Sequence, residues 1–419
     1  MKKTRKWLCL LLAFVLAAGC CLIAQADDAA APETRAPLTQ RDFLRTKGTR
    51  IVNADGQEVV LKGVNLGSWM IWEDWLSPYE QATDHYSVIE TLTRRFGTED
   101  AYALMDVYMD NWITEYDLDR IAEMGFNCVR VPFWYRNFYV DDVGTKRLDA
   151  NGEWDFSRLD WVVRESKARG LYVILDMHGT PGFQSDAPHS GKGGSVGLFD
   201  KTEQGEFYRT LTDELWTAIA SRFAGEPAVA MYDLMNEPMC DVPESSLRRR
   251  INNETEYARL YNTVRAADPD HILTMECIWT GFNLPKSFLK GWKNVVYQVH
   301  FYNNSDFIFA LFLGLTRFLH PTVPLMMGEF YPHQKTTWAG CFKSMKFFNY
   351  SWMLWTYKAA GHMMWESDWC LMGSKDGFER ARVATDSYDE IARKWGACMR
   401  TENGYQSSGH YEKNVKAFV

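Results

Sequence analysis

Two glutamates lie where two apolar segments of the sequence end. Glu237 follows segment 228–234 within Asn236-Glu237-Pro238, and Glu329 lies at the end of segment 324–330 within Gly328-Glu329-Phe330. Two carboxyl groups can divide acid–base work when their surroundings keep one protonated and the other ionised at the same pH. Hydrolysis of a glycosidic bond needs such a pair, because one acid protonates the leaving oxygen while a carboxylate attacks the anomeric carbon or activates water.

Six further side chains occupy matching places at or near the ends of apolar segments. They are Arg130, His178, Asn236, His300, Tyr302 and Trp355. Arg130 and His300 provide positive or hydrogen-bond-donating groups that would keep Glu329 ionised, and Asn236 can bind a sugar hydroxyl. We therefore predict that Glu237 and Glu329 are catalytic and that the other six residues bind substrate.

Each of these residues, taken singly, also has a structural explanation. Pro238 suits the first turn of a helix, so Glu237 would balance the positive end of a helix dipole. Glu329 would pair with a structural arginine. The structural explanation weakens when the residues are considered together, because polar groups at six segment ends have no common packing role.

The elements that must position these residues alternate along the chain. Eight short apolar segments, rich in β-branched and aromatic residues, have the pattern of parallel strands buried on both faces. They cover residues 59–66, 128–133, 172–177, 228–234, 272–277, 295–301, 324–330 and 353–357. Helical stretches lie between several of them, at 115–124, 159–169, 203–223 and 247–267. This order predicts an α/β fold, a single (β/α)8 TIM barrel with extended βα loops, whose chemistry lies at the C-terminal ends of the strands. The alternative is a doubly wound open sheet, but the sequence has no G-x-G-x-x-G loop to support it.

The composition favours a globular protein that binds neutral, hydroxyl-rich ligands. The 419 residues include 46 Lys and Arg against 54 Asp and Glu, so the net charge is −8. Hydrophobic residues at 46% and charged residues at 24% argue against disorder. The acidic balance disfavours nucleic-acid binding, which depends on Lys and Arg at phosphates. Aromatic residues reach 15%, with 17 Trp and 20 Tyr, and such rings stack on the apolar faces of sugars.

The N-terminal residues have the features of an export signal. Four basic residues lie among the first six, an apolar run covers residues 7–23, and Ala24-Gln25-Ala26 offers a cleavage site. We predict a signal peptide over residues 1–26. An alternative is a lipoprotein signal, because Ala17-Ala18-Gly19-Cys20 resembles a bacterial lipobox whose cysteine carries lipid.

The rest of the chain is expected to form a leader and one catalytic domain. Residues 27–40, rich in Ala, Pro, Thr and Asp, predict a flexible leader. Residues 41–419 show no linker and predict one domain. We expect a secreted or cell-surface monomer that meets a membrane only through lipid on Cys20.

Seven motifs in order resemble glycoside hydrolase family 5, the cellulase-type family of clan A, over about residues 52–358. They are residues 61–67 (LKGVNLG), 127–132 (NCVRVP), 176–179 (DMHG), 234–238 (LMNEP), 300–302 (HFY) and 328–330 (GEF), with Trp355. The resemblance implies that Glu237 is the acid/base, that Glu329 is the nucleophile, and that the other six residues line the sugar site. It also implies retention of anomeric configuration, no metal and no cofactor. Retention predicts carboxyl groups about 5–5.5 Å apart.

Two stretches resemble the exo-β-1,3-glucanase branch of that family. They are residues 63–69 and 178–184, although Ser68 stands where the branch has Gly, and Ser185-Asp186 replace Asn-Gly. The resemblance implies β-1,3-glucan as the substrate. Alternatives are an endo-β-1,4-glucanase and a glycolipid-type β-glycosidase, whose apolar lip would come from segment 306–315. A catalytically silent carbohydrate-binding barrel is a non-enzyme alternative, which would be expected to lack one of the two glutamates.

Overall fold

Eight parallel strands close into a barrel in this computed structural model, which describes residues 35–239, 246–277, 284–302, 305–332, 337–360 and 370–419. The strands are β1 (Lys62–Asn65), β2 (Cys128–Trp134), β3 (Tyr172–Gly179), β4 (Val229–Asp233), β5 (Ile272–Cys277), β6 (Val295–His300), β7 (Leu325–Glu329) and β8 (Tyr350–Leu354). Each strand pairs in parallel with the next in chain order, and β8 pairs with β1 to close the ring. The predicted (β/α)8 barrel is confirmed.

The strands are short and apolar because both of their faces are buried. Every residue of β2 and of β3 is buried, between the barrel interior and the surrounding helices. All eight predicted segments contain or overlap a strand. The last is displaced, since β8 begins at Tyr350 and the prediction began at residue 353. The polar Ser351 obscured its start, and this residue accepts a hydrogen bond from the Leu61 N–H at 3.0 Å.

Helices surround the barrel on its outer side. They are α1 (His85–Phe96), α2 (Thr98–Trp112), α3 (Glu115–Glu123), α4 (Ser157–Ala168), α5 (Glu203–Phe223), α6 (Ser246–Ala267), α7 (Ser287–Lys290), α8 (Asp306–Leu319), α9 (Trp338–Phe347), α10 (Tyr388–Trp395) and α11 (Thr401–Gly404). Capping residues in the sequence fix several starts. Thr202 caps α5 by accepting the Gly205 N–H at 3.1 Å, and Thr114 forms a capping box with Asp117 at the start of α3. The segment between β1 and β2 holds three helices, so the predicted long βα connection is present.

The apolar stretch 306–315 forms most of α8, which packs on the barrel as an ordinary outer helix. Phe309 is buried, and the ring of Phe312 stacks on Phe301 with centroids 4.1 Å apart. The exposed apolar side chains of this helix are Phe307, Ile308 and Phe318. Among the described residues, no helix is long and apolar enough to cross a membrane.

The C-terminal segment 370–419 is tied to the barrel by buried polar contacts. Lys358 donates from Nζ to the Trp112 carbonyl oxygen at 2.7 Å and also to the carbonyl of Met399, and burial lowers the pKa of this lysine to about 8. The Trp395 indole N–H donates to the Pro78 carbonyl at 3.2 Å. These contacts join the C-terminal segment to the loops that follow β1 and β8.

Candidate active site

The C-terminal ends of the strands bring all eight predicted site residues to one rim. The two predicted catalytic residues follow β4 (Glu237) and end β7 (Glu329), and His300 ends β6. One oxygen of each carboxylate and one ring nitrogen of His300 lie within 4.8 Å of one another. The remaining five are Arg130 on β2, His178 on β3, Asn236 after β4, Tyr302 after β6 and Trp355 after β8. The chain therefore concentrates its predicted chemistry at the expected face.

Arg130 is a fully buried guanidinium surrounded by carboxylates. Its nitrogens lie 2.8 Å from Glu329 Oε1, 2.9 Å from Asp233 Oδ2 and 3.0 Å from Asp176 Oδ2. Burial lowers the pKa of Arg130, but the carboxylates together raise it by more than burial lowers it. The guanidinium therefore stays charged. Burial raises the pKa of both Asp176 and Asp233 to about 7, against the opposing effect of Arg130. A charge so deep is stable only when it is paired in this way.

Glu329 is held as a hydrogen-bond acceptor at both of its oxygens. Arg130 Nη1 donates to Oε1 at 2.8 Å, and the Tyr302 hydroxyl donates to Oε2 at 2.8 Å. Burial raises the pKa of Glu329 overall, and Arg130, His178 and the Tyr302 hydrogen bond oppose that rise. Donors at both oxygens favour the carboxylate form, which is the form that a nucleophile requires.

Glu237 faces two histidine rings and lies closer to solvent. Its side chain is 13% exposed, against 6% for Glu329. Its Oε1 lies 2.8 Å from His300 Nδ1, and its Oε2 lies 3.5 Å from His189 Nε2. Burial lowers the pKa of His300 well below its usual value, so that imidazole is neutral. The guanidinium contacts Glu329 and a neutral imidazole contacts Glu237, so the two carboxyl groups have the unlike surroundings that an acid and a nucleophile need.

His178, Asn236 and Trp355 form one wall of the site. His178 Nδ1 lies 2.6 Å from Asp176 Oδ2, and its Nε2 lies 3.2 Å from the Asn236 amide nitrogen. Asn236 Oδ1 accepts from Arg130 at 2.8 Å. Because an amide nitrogen only donates, His178 accepts at Nε2 and carries its proton on Nδ1. The ring of Trp355 stacks on His178, with centroids 5.6 Å apart and planes 12° apart.

Gln184 links the ends of β3 and β4. Its amide nitrogen donates to the carbonyl oxygens of His178 at 2.7 Å and Asn236 at 2.8 Å. Its amide oxygen accepts from the Thr180 N–H at 3.0 Å and lies 3.2 Å from the Thr180 hydroxyl. The side chain is fully buried, so a glutamine satisfies donors and acceptors that another residue type would leave unpaired. The motif at residues 181–184 is thus a structural support for the wall of the site.

The sequence profile of Cellulase (glycosyl hydrolase family 5) matches residues 52–361 of this chain. The chain belongs to glycosyl hydrolase family 5. A β-xylosidase of Phanerodontia chrysosporium is 30% identical over 62% of this chain and 52% of its own length. A probable glucan 1,3-β-glucosidase A of Aspergillus niger is 30% identical over 60% of this chain and 58% of its own. The chain therefore spans little more than half the length of these relatives.

The solved structure of a rutinosidase from Aspergillus niger shares the fold of this family 5 chain. Its TM-score is 0.58 at 16% identity, over 74% of this chain and 95% of the rutinosidase. The agreement supports the barrel architecture seen here.

Two acidic residues of this family 5 site were not predicted from the sequence. Glu276 on β5 is fully buried, and its Oε2 accepts the backbone N–H of Glu237 at 2.8 Å. Glu73 accepts the Trp75 indole N–H at 2.7 Å, and burial, followed by the nearby charge of Glu329, raises its pKa to about 8. A signal for Glu276 was present, because it is the one charged residue in the apolar segment 272–277.

The cluster of Glu237, His300 and Glu329 has the residue types of a cation site. The hydrogen bonds of His300 indicate which of its ring nitrogens carries the proton. The Gln298 amide nitrogen donates to Asp233 at 2.8 Å and lies 3.3 Å from His300 Nε2. His300 Nε2 therefore accepts, and its proton is on Nδ1, which points at Glu237. The N–H at Nδ1 thus joins His300 to Glu237, and the described arrangement is a hydrogen-bonded cluster.

Proposed function

We propose that this protein is a retaining β-glycoside hydrolase that cleaves β-glucosidic bonds of a β-glucan. The observation that carries the proposal is the carboxyl pair Glu237 and Glu329, which present oxygens within 4.8 Å of each other. Retaining enzymes have carboxyl groups about 5–5.5 Å apart, whereas inverting enzymes leave about 6.5–9.5 Å for a water molecule. The approach of one oxygen from each group to within 4.8 Å leaves little room for a water molecule between those two oxygens, which supports double displacement.

The surroundings of each carboxyl group support its part in that mechanism. Glu329, ionised beside Arg130 and Tyr302, attacks the anomeric carbon and forms a glycosyl-enzyme ester. Glu237 gives its proton to the leaving oxygen as the glycosidic bond breaks. Glu237, now ionised, takes a proton from water as that water attacks the anomeric carbon, and Glu329 is released as a carboxylate.

The substrate that we propose is a β-1,3-linked glucan, attacked from a chain end. Support comes from the relatives named glucan 1,3-β-glucosidase and from the 178–184 stretch. The relative named β-xylosidase makes a β-xyloside the natural comparison substrate. The glycolipid alternative placed an apolar lip at segment 306–315, where Phe309 is buried and Phe312 stacks on Phe301, while Phe307 and Ile308 are exposed. An endo-β-1,4-glucanase remains the second candidate, because the family profile bears the name Cellulase.

The decisive experiment is a product time course on laminarin, carboxymethyl-cellulose and mixed-linkage glucan, with the anomer of the first product read by NMR. We expect glucose from laminarin, released first as the β-anomer. A spread of oligosaccharides from cellulose would replace the exo assignment with the endo alternative. Initial release of the α-anomer would contradict the double-displacement mechanism, and no turnover of any β-glycoside would favour a silent binding barrel.

Variants of the two glutamates test their individual roles. Glu329→Ala should lose turnover by several orders of magnitude, and added azide should yield the inverted α-glycosyl azide. Glu237→Ala should still form the glycosyl-enzyme from substrates with good leaving groups, and azide should then yield the retained β-glycosyl azide. Glu256→Ala is the matched control, since Glu256 is buried on α6 and paired with Arg259 at 2.9 Å. The site assignment is wrong if both site variants keep near-normal turnover.

We also propose that the chain is exported and works as a monomeric single domain over residues 41–419. The basic and apolar N-terminal residues and the Ala24-Gln25-Ala26 site support export. Intact-mass measurement of the exported protein distinguishes cleavage after Ala26 from lipid attachment at Cys20. Sizing in solution tests the monomer.

A further inference from the structure

Glu276 is a third carboxyl group at the centre of the site. It lies on β5 with no exposed surface, and its Oε2 accepts the backbone N–H of Glu237 at 2.8 Å. Its Oε1 lies 3.1 Å from His300 Nδ1. Burying a carboxyl group is unfavourable unless its hydrogen bonds are satisfied, so an apolar residue would suit the strand better if packing were its only role.

The backbone that carries Glu237 needs such support. Glu237 has a φ of 41°, in the left-handed region that residues with a Cβ rarely adopt. The preceding residue is anchored on the other side, because the Asn236 N–H donates to the Met177 carbonyl on β3 at 3.2 Å. The hydrogen bond to Glu276 anchors Glu237 to β5. Strands on both sides of β4 thus hold a turn that is unfavourable by itself.

The carboxyl groups of Glu237 and Glu276 also face the same imidazole N–H. His300 carries its proton on Nδ1, which lies 2.8 Å from Glu237 Oε1 and 3.1 Å from Glu276 Oε1. Burial, followed by the charge of Glu237, raises the pKa of Glu276 well above its usual value. Both carboxyl groups therefore lie against one ring nitrogen.

Tyr257 fixes Glu276 in its turn. The Tyr257 hydroxyl, on α6, donates to the Glu276 carbonyl oxygen at 2.9 Å and accepts the Glu276 N–H at 2.9 Å. The ring is fully buried. A rigid connection therefore runs from α6 through Glu276 to the backbone of Glu237.

From these contacts we infer that Glu276 is a positioning residue for general-acid catalysis, holding the backbone of Glu237 so that its carboxyl group reaches the leaving oxygen. The inference rests on the proposed glycosidase function. A displaced acid slows only those substrates whose leaving group needs a proton. The effect of removing Glu276 should therefore depend on the leaving group, and a general loss of structure would not have that dependence.

The test compares Glu276→Leu with Glu276→Gln on an alkyl β-glucoside and on dinitrophenyl β-glucoside. Misplacement of a catalytic group by about 1 Å slows a reaction about 100-fold, so we expect Glu276→Leu to lose about 10–100-fold in kcat/KM on the alkyl glucoside. On the dinitrophenyl glucoside the loss should stay within a few-fold. Glu276→Gln keeps an acceptor oxygen for the Glu237 N–H, so it should stay near wild type on both substrates.

Tyr257→Phe supplies a second variant if Glu276→Leu does not fold. It removes only the hydroxyl that holds Glu276. We expect a smaller loss of kcat/KM than in Glu276→Leu, again larger on the alkyl glucoside than on the dinitrophenyl glucoside. Glu256→Leu is the control, because it also removes a buried carboxyl group, but one whose partner is Arg259 on the same helix. Its ratio of rates on the two substrates should match wild type.

Three results would overturn the inference while leaving the glycosidase function intact. They are an equal loss on both substrates, no loss in Glu276→Leu, and a loss in Glu276→Gln as large as in Glu276→Leu. The last result would mean that the ionisable carboxyl group itself takes part. A wild-type protein without activity on either glucoside would instead refute the proposed function and the inference that rests on it.

Discussion

The hydrogen bond from Tyr302 to Glu329 gives a quantitative prediction for the pH dependence of the first chemical step. The hydroxyl donates to Glu329 Oε2 at 2.8 Å, and this bond lowers the pKa of Glu329. A hydrogen bond to a charged group contributes about 1.5–3 kcal/mol, and one pKa unit corresponds to about 1.4 kcal/mol. Tyr302→Phe should therefore raise the pKa of Glu329 by about 1–2 units.

The assay is the pH profile of kcat/KM on dinitrophenyl β-glucoside. This leaving group needs no proton, so the acidic limb of the profile reports the nucleophile of the free enzyme. Because the carboxylate is the active form, a raised pKa moves that limb to higher pH by the same amount.

A matched control is Tyr232→Phe, which removes a buried hydroxyl 2.9 Å from Asp268 Oδ2. This variant should lower the melting temperature and leave the acidic limb in place. The reasoning is refuted if Tyr302→Phe leaves the limb unmoved or shifts it to lower pH. It is also refuted if Tyr232→Phe moves the limb equally, since general loosening would then explain the shift.

Two further predictions concern stability. Between about pH 6.5 and pH 8 the free energy of unfolding should fall as pH rises. The pKa values in the folded state are about 7 for Asp176 and Asp233 and about 8 for Glu73, and all three lie above the values in the unfolded state. The folded state therefore binds more protons than the unfolded state, and it loses that advantage as pH rises. Thermal unfolding across this window measures the effect, and a flat or rising melting temperature would contradict it. Gln184→Leu should lower the free energy of unfolding by about 3–5 kcal/mol, because it leaves backbone groups of Thr180 and Asn236 unpaired. Chemical denaturation measures that loss, and a change below about 1 kcal/mol would show that water replaces the amide.

The fold was predictable because barrel strands have a local signature. Strands buried on both faces produce uninterrupted apolar segments, so seven of the eight were placed near their observed positions. The start of β8 was not, because Ser351 serves a long-range contact to Leu61 that no local pattern reveals. Ser68 is similar. It stands where the resembling branch has Gly, and its φ of 56° shows that the turn needs the left-handed conformation which Gly adopts freely.

The candidate site was predictable for residues at or near the end of a segment that also belong to a recognisable motif, whereas Glu276, the penultimate residue of segment 272–277, belongs to none of the seven motifs. Glu237, Glu329 and His300 follow from the rule that chemistry gathers at the C-terminal ends of barrel strands. Glu276 contacts Glu237 only through the register of β5 against its neighbours, and register depends on pairing between distant parts of the chain. Glu73 comes from a loop whose path over the site has no sequence signature.

The contacts of the C-terminal segment show which residues have to stay together when the barrel is divided. The family profile ends at residue 361, yet the segment beyond it covers the charged end of Lys358 and the indole of Trp395 contacts Pro78. A protein trimmed to the profile would leave a lysine without the carbonyl of Met399 and a broad aromatic surface open to water. The contacts that cover Lys358 and Pro78 therefore come from beyond the part of the chain that the family profile matches. Exchanges of loops or domains between relatives should move residues 370–419 together with the barrel.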